Sequence, residues 1–290
     1  MVPLEFLVPY SLEEALELLD PEDPGVRPMS GGTAVMLMMK AGVLTPTRLV
    51  SLQRIGAEHG RVRVNDAGEL VIGGMARLAT LEHDVAVKRG WPVLARMLRT
   101  LSSVRVRSVA TVGGALAHAD PHMDLPPVLA ALGARVTVSG PRGARNVDAE
   151  ALATGYYETV LGRDELISAV TVPPQAGPAT YLKVTTRAAH DWPALGLAVV
   201  LTQAGGRIDT ARLVVGAATD RPTRLQAAEA VLAGASVDDV ALRRAGEAGA
   251  EEIDIVSDAH GSAAYKRHLL RVTLGRAVRA ALAPAAETPA

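Results

Sequence analysis

No cysteine occurs in the 290 residues. Disulfides, thiolate metal sites and a thiolate-bound iron–sulfur cluster are therefore excluded from this chain. Aromatic residues are scarce at 3%, with Phe6 the one phenylalanine, so the core has to be built from Val, Leu, Ile, Ala and Met. Net charge is nearly absent, a formal −1 at pH 7, which leaves no global field to draw the chain onto nucleic acid or an anionic membrane. No apolar run reaches the roughly 18 residues of a membrane span; ALGLAVVL is far too short. The N-terminal MVPLEFLVPYSLEEAL lacks a basic region followed by a long apolar run, so no signal peptide is expected, and the expected location is cytoplasmic. Neither G-x-G-x-x-G nor G-x-x-x-x-G-K-[ST] is present, and the absence of G-x-S-x-G argues against a hydrolase.

What is present is ordinary for a soluble globular protein: 49% hydrophobic and 21% charged residues, in a chain long enough for one large domain or two ordinary ones. Ser11 followed by Glu14 predicts a capping box for a first helix, SLEEALELL. PEDPGVRP predicts a turn-rich connector, and MSGGT leads into a short helix ended by Gly42. TRLVSL is strand-like, and VRVNDAGELVIGG has the two apolar runs and Asn/Asp/Gly turn of a β-hairpin. LEHDVAV, PVLARMLRTL and DLPPVLAALG have helical patterns, whereas ARVTVSG and ELISAVTVP predict strands. Beyond PPQAGPA the texture changes to three strands, TYLKVTTR, LGLAVVLTQ and TARLVVGAA, then three Ala-rich helices.

The resulting expectation is an α+β chain with a boundary near residue 177: residues 1–177 as one domain (subdomains about 1–55 and 56–177), 178–284 as a three-stranded antiparallel sheet with a helical bundle, and 285–290 as a disordered tail.

Two stretches stand out, SGGTAVMLMMKAG from Ser30 and ATVGGALAHADPHMD from Ala110. A Gly-Gly pair lets a ligand approach the main chain without a Cβ in the way, and successive N–H groups ahead of a helix favour an anion. Thr33 and Thr111 each offer a hydroxyl to a phosphate oxygen. Taken singly, either pair is more simply read as a tight turn, and the pairs at 73–74 and 205–206 read as turn or strand-end glycines.

Together with YLKVTTRAAHDWP, these motifs resemble the FAD-binding medium subunit of the molybdenum hydroxylases, the family of aerobic carbon monoxide dehydrogenase and xanthine dehydrogenase, through nearly the whole chain. The resemblance implies a two-subdomain FAD-binding domain of the vanillyl-alcohol-oxidase type. It places the FAD pyrophosphate, bound non-covalently, on the first loop at Pro28, Met29, Ser30, Gly31, Gly32, Thr33, Ala34 and Val35. The second loop contributes Thr111, Gly113, Gly114, Ala115 and His118. Asp124 is expected to bond polar groups of the cofactor, Ile167 to meet the flavin ring, and Tyr181 and Lys183 to lie on its isoalloxazine side. No side chain is implied as a catalytic acid or base.

The implied function is that of an electron-transfer oxidoreductase subunit. A molybdenum cofactor sits in a large partner and [2Fe–2S] clusters in a small one, within a dimer of heterotrimers, and electrons pass from the clusters through FAD to an external acceptor. The chain departs from the family pattern at two places: Ala115 replaces an Asn, and Ala34 an acid or hydroxyl. These departures keep two alternatives open, a structural scaffold with weakened FAD binding and a standalone flavin reductase.

Other residues admit rival readings. His118, Asp120, His122 and Asp124 alternate and would share one face of a strand as metal ligands, although surface or cofactor-adjacent polar positions explain them better. His190 and Asp191 beside Trp192 have the makings of a general base, or of an ordinary loop. His59, His83, His260 and His268 are explained by solvated positions. Met36, Met38 and Met39 are expected to fill core, and RTLSSVRVR to face a partner or water.

Overall fold

The computed structural model describes residues 3–283, so the tail expected at 285–290 lies outside the described residues. The chain forms two compact units, Met1–Asp120 with Gly133–Pro174, and Pro121–Leu132 with Gln175–Ala290.

The first unit opens with a parallel sheet of β1 (Glu5–Leu7), β2 (Val26–Met29) and β3 (Arg48–Ser51) in the order β1-β3-β2. Between β1 and β2 lies α1 (Leu12–Glu17), whose start follows the capping expectation. Ser11 Oγ accepts from the Glu14 N–H at 3.0 Å, and the Glu14 carboxylate reaches back to the Tyr10 N–H at 2.7 Å. Ala15 and Leu19 pack with Val26, Val50 and Leu52 into a small core. β2 corrects the reading of PEDPGVRP as a connector. It is an edge strand, where Pro28 can sit without breaking a central ladder.

Next comes α2 (Thr33–Lys40), followed by Gly42 at φ 71°. It buries no residue, and Met36 is 54% exposed, so the methionines are not core filling. At about 100° per residue, positions 36, 38 and 39 spread too widely around a helix to share one core face.

A second sheet is antiparallel. The hairpin β4 (Val62–Val64) and β5 (Leu70–Gly73) turns on Asn65, whose Oδ1 accepts from the N–H groups of Ala67 and Glu69. β6 (Arg135–Gly140) and β7 (Gly143–Asp148) follow, then a short pair, β8 (Ala153–Gly155) and β9 (Glu158–Thr159), and then β10 (Leu166–Val172). The five-stranded order is β4-β5-β10-β6-β7. β7 has no counterpart in the sequence reading because an exposed edge strand needs no apolar alternation.

LEHDVAV divides into α3 (Leu78–His83) and α4 (Val85–Gly90). Asp84 leaves the helical region at ψ 131° and caps the second helix by accepting from the Val87 N–H at 3.0 Å. α5 (Pro92–Leu98) follows. RTLSSVRVR does not simply face a partner or water. It contains a single-turn helix, α6 (Val104–Arg107), and Arg107 is buried. Its guanidinium donates to the Glu82 carboxylate at 2.8 Å and to the carbonyls of Leu101 and Ser102 at 2.9 and 2.7 Å. The second glycine stretch is itself helical, as α7 (Val112–His118).

In the second unit α8 (Leu125–Ala131) packs on one face of a sheet formed by β11 (Ala179–Val184), β12 (Leu195–Ala204), β13 (Arg207–Gly216) and β14 (Thr223–Arg224). Three strands are expected from sequence. The fourth, only two residues long, is held by Arg224, which is paired with Glu229 at 2.8 Å. Leu195, Leu197, Val199 and Leu201 alternate towards the helices Gln226–Leu232, Asp239–Glu251 and Ala263–Leu282 on the other face. Burial on both faces explains why LGLAVVL reads as a continuous apolar run. Among the described residues no helix is long and apolar enough to cross a membrane.

The Arg107–Glu82 pair is the clearest stability test in the first unit, since both side chains are buried. Glu82→Ala leaves a buried guanidinium uncompensated and is expected to lower the unfolding free energy by about 3–5 kcal/mol. A loss under about 1 kcal/mol in urea titrations would show that water reaches Arg107.

Candidate functional site

The two glycine stretches, some eighty residues apart in sequence, meet in the first unit. Ser30-Gly31-Gly32 links the end of β2 to α2, with Gly32 at φ 73° as a cap residue that offers no side-chain bond. The N–H groups of the first turn of α2, those of Thr33, Ala34 and Val35, therefore have neither an intrahelical partner nor a side-chain cap. In the second stretch Thr111 caps α7, its Oγ1 accepting from the Gly114 N–H at 3.1 Å. The same hydroxyl donates to Ser30 Oγ at 2.8 Å and so ties one stretch to the other.

The approach is closer still at Gly31, where an added Cβ would lie 2.1 Å from the Val109 carbonyl oxygen. Within the second stretch, Gly113 donates to the Gly74 carbonyl at 2.7 Å, and Gly74 in turn donates to the Ser168 carbonyl at 2.8 Å. The pair at 73–74, which the sequence offers as strand-end or turn glycines, thus also connects α7 to β10.

Beside this junction is a cavity of about 800 Å³. Of the residues nominated from sequence, Pro28, Ser30, Gly113, Gly114 and Ile167 line it. Ser30, Gly31 and Thr111 line a smaller cavity of about 100 Å³. Met29, Gly32, Thr33, Ala34 and Val35 line neither, and Ala115 is buried within α7. His118, at the other end of α7, packs its ring 5.1 Å from that of Tyr157, and burial lowers its pKa against an opposing pull from Asp120.

The sequence reading missed several lining residues. Tyr157 sits in the β8–β9 turn at φ 58°, an uncommon conformation for a bulky residue. Burial and the nearby Asp120 carboxylate raise its hydroxyl well above the ordinary tyrosine value, so it remains a donor. Arg27, on β2, lines the large cavity with its Nε enclosed and lacking a hydrogen-bond partner. Nothing in PEDPGVRP signals this, because only the parallel pairing of β2 turns Arg27 towards a cavity. Glu165 also lines it, but its carboxylate is held by Arg145 at 2.7 Å and by the Gly162 N–H at 2.8 Å. Those bonds, led by Arg145, bring its pKa below the usual carboxylate range.

Asp124, Tyr181 and Lys183 come together in the second unit. Asp124 starts α8 but makes no side-chain cap; its carboxylate accepts from Tyr181 Oη at 2.6 Å and Lys183 Nζ at 2.8 Å. Burial raises the Asp124 pKa, opposed by the Lys183 charge and by both hydrogen bonds. Burial and the Asp124 charge raise Tyr181 well above its ordinary value.

The alternating His and Asp residues before α8 do not share a metal face. His122 Nε2 lies 2.8 Å from Asp258 Oδ2, and Asp258 also bonds the buried Lys266, which donates to the Ala217 carbonyl at 2.7 Å. Asp120, His122 and Asp124 are buried, so of the surface and cofactor-adjacent positions expected for them the surface one does not hold. Among the described residues no three His, Asp or Glu side chains are grouped to hold a metal ion. His260 is not simply solvated: its N–H donates to Asp258 at 2.8 Å and its ring lies 5.0 Å from that of His122. Trp192 stacks on His122 at 5.7 Å, while Asp191 accepts from the Ala188 N–H at 3.1 Å and, among the described residues, is not paired with a base.

A two-unit α+β chain with glycine stretches beside a cavity of this size has the architecture of a cofactor-binding protein, and comparison with known proteins specifies which. Residues 2–175 match the FAD binding domain in molybdopterin dehydrogenase, and residues 180–281 the CO dehydrogenase flavoprotein C-terminal domain. The chain is 32% identical to the nicotine 6-hydroxylase medium subunit of Paenarthrobacter nicotinovorans, over 95% of this chain and 96% of that one. It is 32% identical to the carbon monoxide dehydrogenase medium chain of Afipia carboxidovorans, over 98% and 99%. The structure of carbon monoxide dehydrogenase from Hydrogenophaga pseudoflava superposes with a TM-score of 0.92 at 30% identity, covering 97% of this chain and 99% of that one. The chain belongs to the family of FAD-binding medium subunits of the molybdenum hydroxylases, and is thereby an oxidoreductase subunit.

Two outcomes follow from the geometry. Gly31→Ala forces the two stretches apart and is expected to cost about 3 kcal/mol of unfolding free energy; a change within 0.5 kcal/mol by urea titration would mean the Val109 backbone yields freely. Asp258 is shifted upward by burial but downward more strongly by hydrogen bonds from Lys266 and His122, which leave its pKa at about 2. Its stabilising contribution is therefore complete above about pH 4, the unfolded value, and is lost as pH falls towards 2. The Asp258→Asn chain should show a shallower loss of stability across that interval, and an unchanged slope would remove Asp258 from the account.

Proposed function

We propose that the first unit binds FAD non-covalently and that the chain passes electrons from an iron–sulfur partner through that flavin to an external acceptor. The observation that carries this reading is the convergence of Ser30, Gly113 and Gly114 on one cavity. The residues fit the cofactor. A side chain at Gly114 would meet Ser30 Oγ at 2.5 Å and crowd the cavity. The volume lies within the roughly 300–1,000 Å³ of small-molecule sites. Backbone N–H groups at a helix start suit the two phosphate charges.

When bound, FAD supplies the capacity to accept electrons singly and release them in pairs. The chain's own task is to hold and orient. A diphosphate reaching from Ser30 past the cavity rim would meet the first-turn N–H groups of α2 and the Thr33 hydroxyl, which line neither cavity. Thr111 does not need to touch the cofactor to matter, since it locks Ser30 and the start of α7 together. Ile167, buried and lining the cavity, would give the ring an apolar wall and a backbone partner. No acid or base is required, and the lack of cysteine agrees with clusters held elsewhere.

The partners are then a molybdenum-binding large subunit and an iron–sulfur small subunit, in a dimer of heterotrimers located in the cytoplasm. The medium-subunit and medium-chain names of the relatives support that division of labour.

The test is the visible spectrum of the purified chain, alone and co-expressed with both partners, after added FAD has been removed by desalting. Bands near the usual flavin maxima, roughly 370 and 450 nm, are expected to remain. A colourless chain in both preparations would reject flavin binding and favour a scaffold.

A further inference from the structure

We propose that the helical layer of α3, α4, α5 and α6 is the docking surface for an acidic one-electron carrier protein, the external acceptor of electrons leaving this chain. The proposal rests on the reading of the first unit as the FAD site. Residues 77–107 hold seven Lys and Arg against two carboxylates, in a chain whose formal net charge is −1. Both carboxylates are engaged within the layer: Glu82 is buried against Arg107, and Asp84 caps α4. The other six cations, Arg77, Lys88, Arg89, Arg96, Arg99 and Arg105, are exposed. The four helices pack on one another, so these charges belong to one layer. Arg96 and Arg99 stand three residues apart at the end of α5, and partial burial, then the like charge of Arg99, lowers the Arg96 pKa.

The layer borders the glycine junction. Arg77 forms a β-bridge with Thr111, and the Leu78 N–H donates to the Ala110 carbonyl at 2.9 Å. Arg77 and Val109 also line the smaller cavity together with Ser30 and Gly31. A protein seated on the layer is thereby brought beside the place where Ser30 and Thr111 meet. Val85, Val104 and Val109 are exposed among the cations, which gives a protein partner apolar contacts besides charge.

Permanent subunit interfaces are large and apolar, with charge depleted at their centre. A surface of six exposed cations and three valines suits a small, salt-sensitive encounter instead, in which opposite charge speeds association. An electron carrier has to arrive and leave at each turnover, so it is the partner class that gains from such a surface. Two encounters balance one substrate oxidation. Each reduces one oxidised carrier by a single electron taken from the flavin, and the protons released pass to water.

The experiment measures calorimetrically the binding of an acidic plant-type [2Fe–2S] ferredoxin to the full-length chain, alone and in its co-purified complex, at low and high NaCl. Duplex DNA and phosphatidylserine vesicles are titrated in parallel. Wild type should bind ferredoxin at low NaCl and lose about tenfold or more in affinity at high NaCl. Arg89→Gln/Arg99→Gln/Arg105→Gln should weaken ferredoxin about tenfold or more and flatten the salt dependence. Arg243→Gln/Arg244→Gln/Arg276→Gln removes the same charge from exposed positions of the second unit and should stay within about twofold of wild type. In the complex, the rate at which pre-reduced ferredoxin bleaches the flavin band should fall with the first triple variant only. Urea midpoints check folding; if the first triple variant does not fold, Arg105→Glu decides, and an affinity within about twofold of wild type overturns the proposal. Equal losses in both triple variants overturn it, since they report net charge alone. So do a wild type that does not bind ferredoxin, a bleaching rate that the first triple variant leaves unchanged, and tighter binding of DNA or vesicles through the same residues. A first triple variant that folds but no longer co-purifies with its partners, or ferredoxin binding by the chain that the complex lacks, also overturns it, because the layer is then a subunit interface. Loss of the docking with flavin bands intact rejects the docking alone, whereas patch-dependent ferredoxin binding by a chain without flavin bands rejects the FAD reading and keeps the docking surface.

Discussion

The first unit depends on a single steric constraint, the contact between Gly31 and the backbone at Val109 and Ala110. No side chain fits there, so β2, α2 and the start of α7 come together at backbone distance. The Ser30–Thr111 hydrogen bond fixes the register of that contact, and the Gly113–Gly74 bond extends it to β5 and β10. The outcome is a run of main chain with few side chains in the way, bordered by a cavity. A site built in this manner presents N–H groups whose positions are set by the fold and not by rotamers, and a charged ligand then needs little reorganisation of its donors. The two glycine pairs are consequently two sides of one junction, which explains their separation in sequence.

Much of this was legible before the structure, and what was legible was local. The Ser11–Glu14 cap, the Asn65 turn and the end of α2 at Gly42 each depend on residues a few positions apart, and each is where the pattern puts it. The unread features depend on distant partners. β2 is a strand only because β3, more than twenty residues later, pairs with it, and Pro28 hides the fact. α7 is hidden because Gly113 and Gly114 are poor helix formers in a helix held by the Thr111 cap and by packing. Arg107 looks like a solvated cation until Glu82 is found beside it. The motif level identified several residues that line the cavities, but it missed Arg27 and Tyr157, which arrive there through edge-strand pairing and a left-handed turn.

The second unit shows how polar residues are used when both faces of a sheet are covered. Asp124 at the start of α8 meets Tyr181 and Lys183 from β11, and His122 meets Asp258 and Lys266 from the helical layer. These pairs tie Pro121–Leu132 to elements far along the chain, which is why that short segment belongs to the second unit. The alternation of His and Asp, which resembles a metal face on paper, instead distributes each side chain to a different partner. A buried ion pair costs desolvation and gives back specificity of register only when its geometry is complete. Here Lys266 has both a carboxylate and a carbonyl to satisfy it.

Ala34 and Ala115 are the positions where the chain departs from its family's pattern, and their placement makes the departure less consequential than the sequence suggests. Ala34 lies in the first turn of α2, where its main-chain N–H has no intrahelical partner. Ala115 is buried inside α7 and lines neither cavity. In the proposed FAD site, with side-chain bonds removed at two positions, the work of holding a diphosphate would shift to backbone amides and to charge around the cavity. An arrangement of that kind trades geometric fine control for electrostatics. Its affinity should then respond to ionic strength more than that of a site held by neutral side-chain bonds, since charge is screened by salt and a hydrogen bond between neutral groups is not.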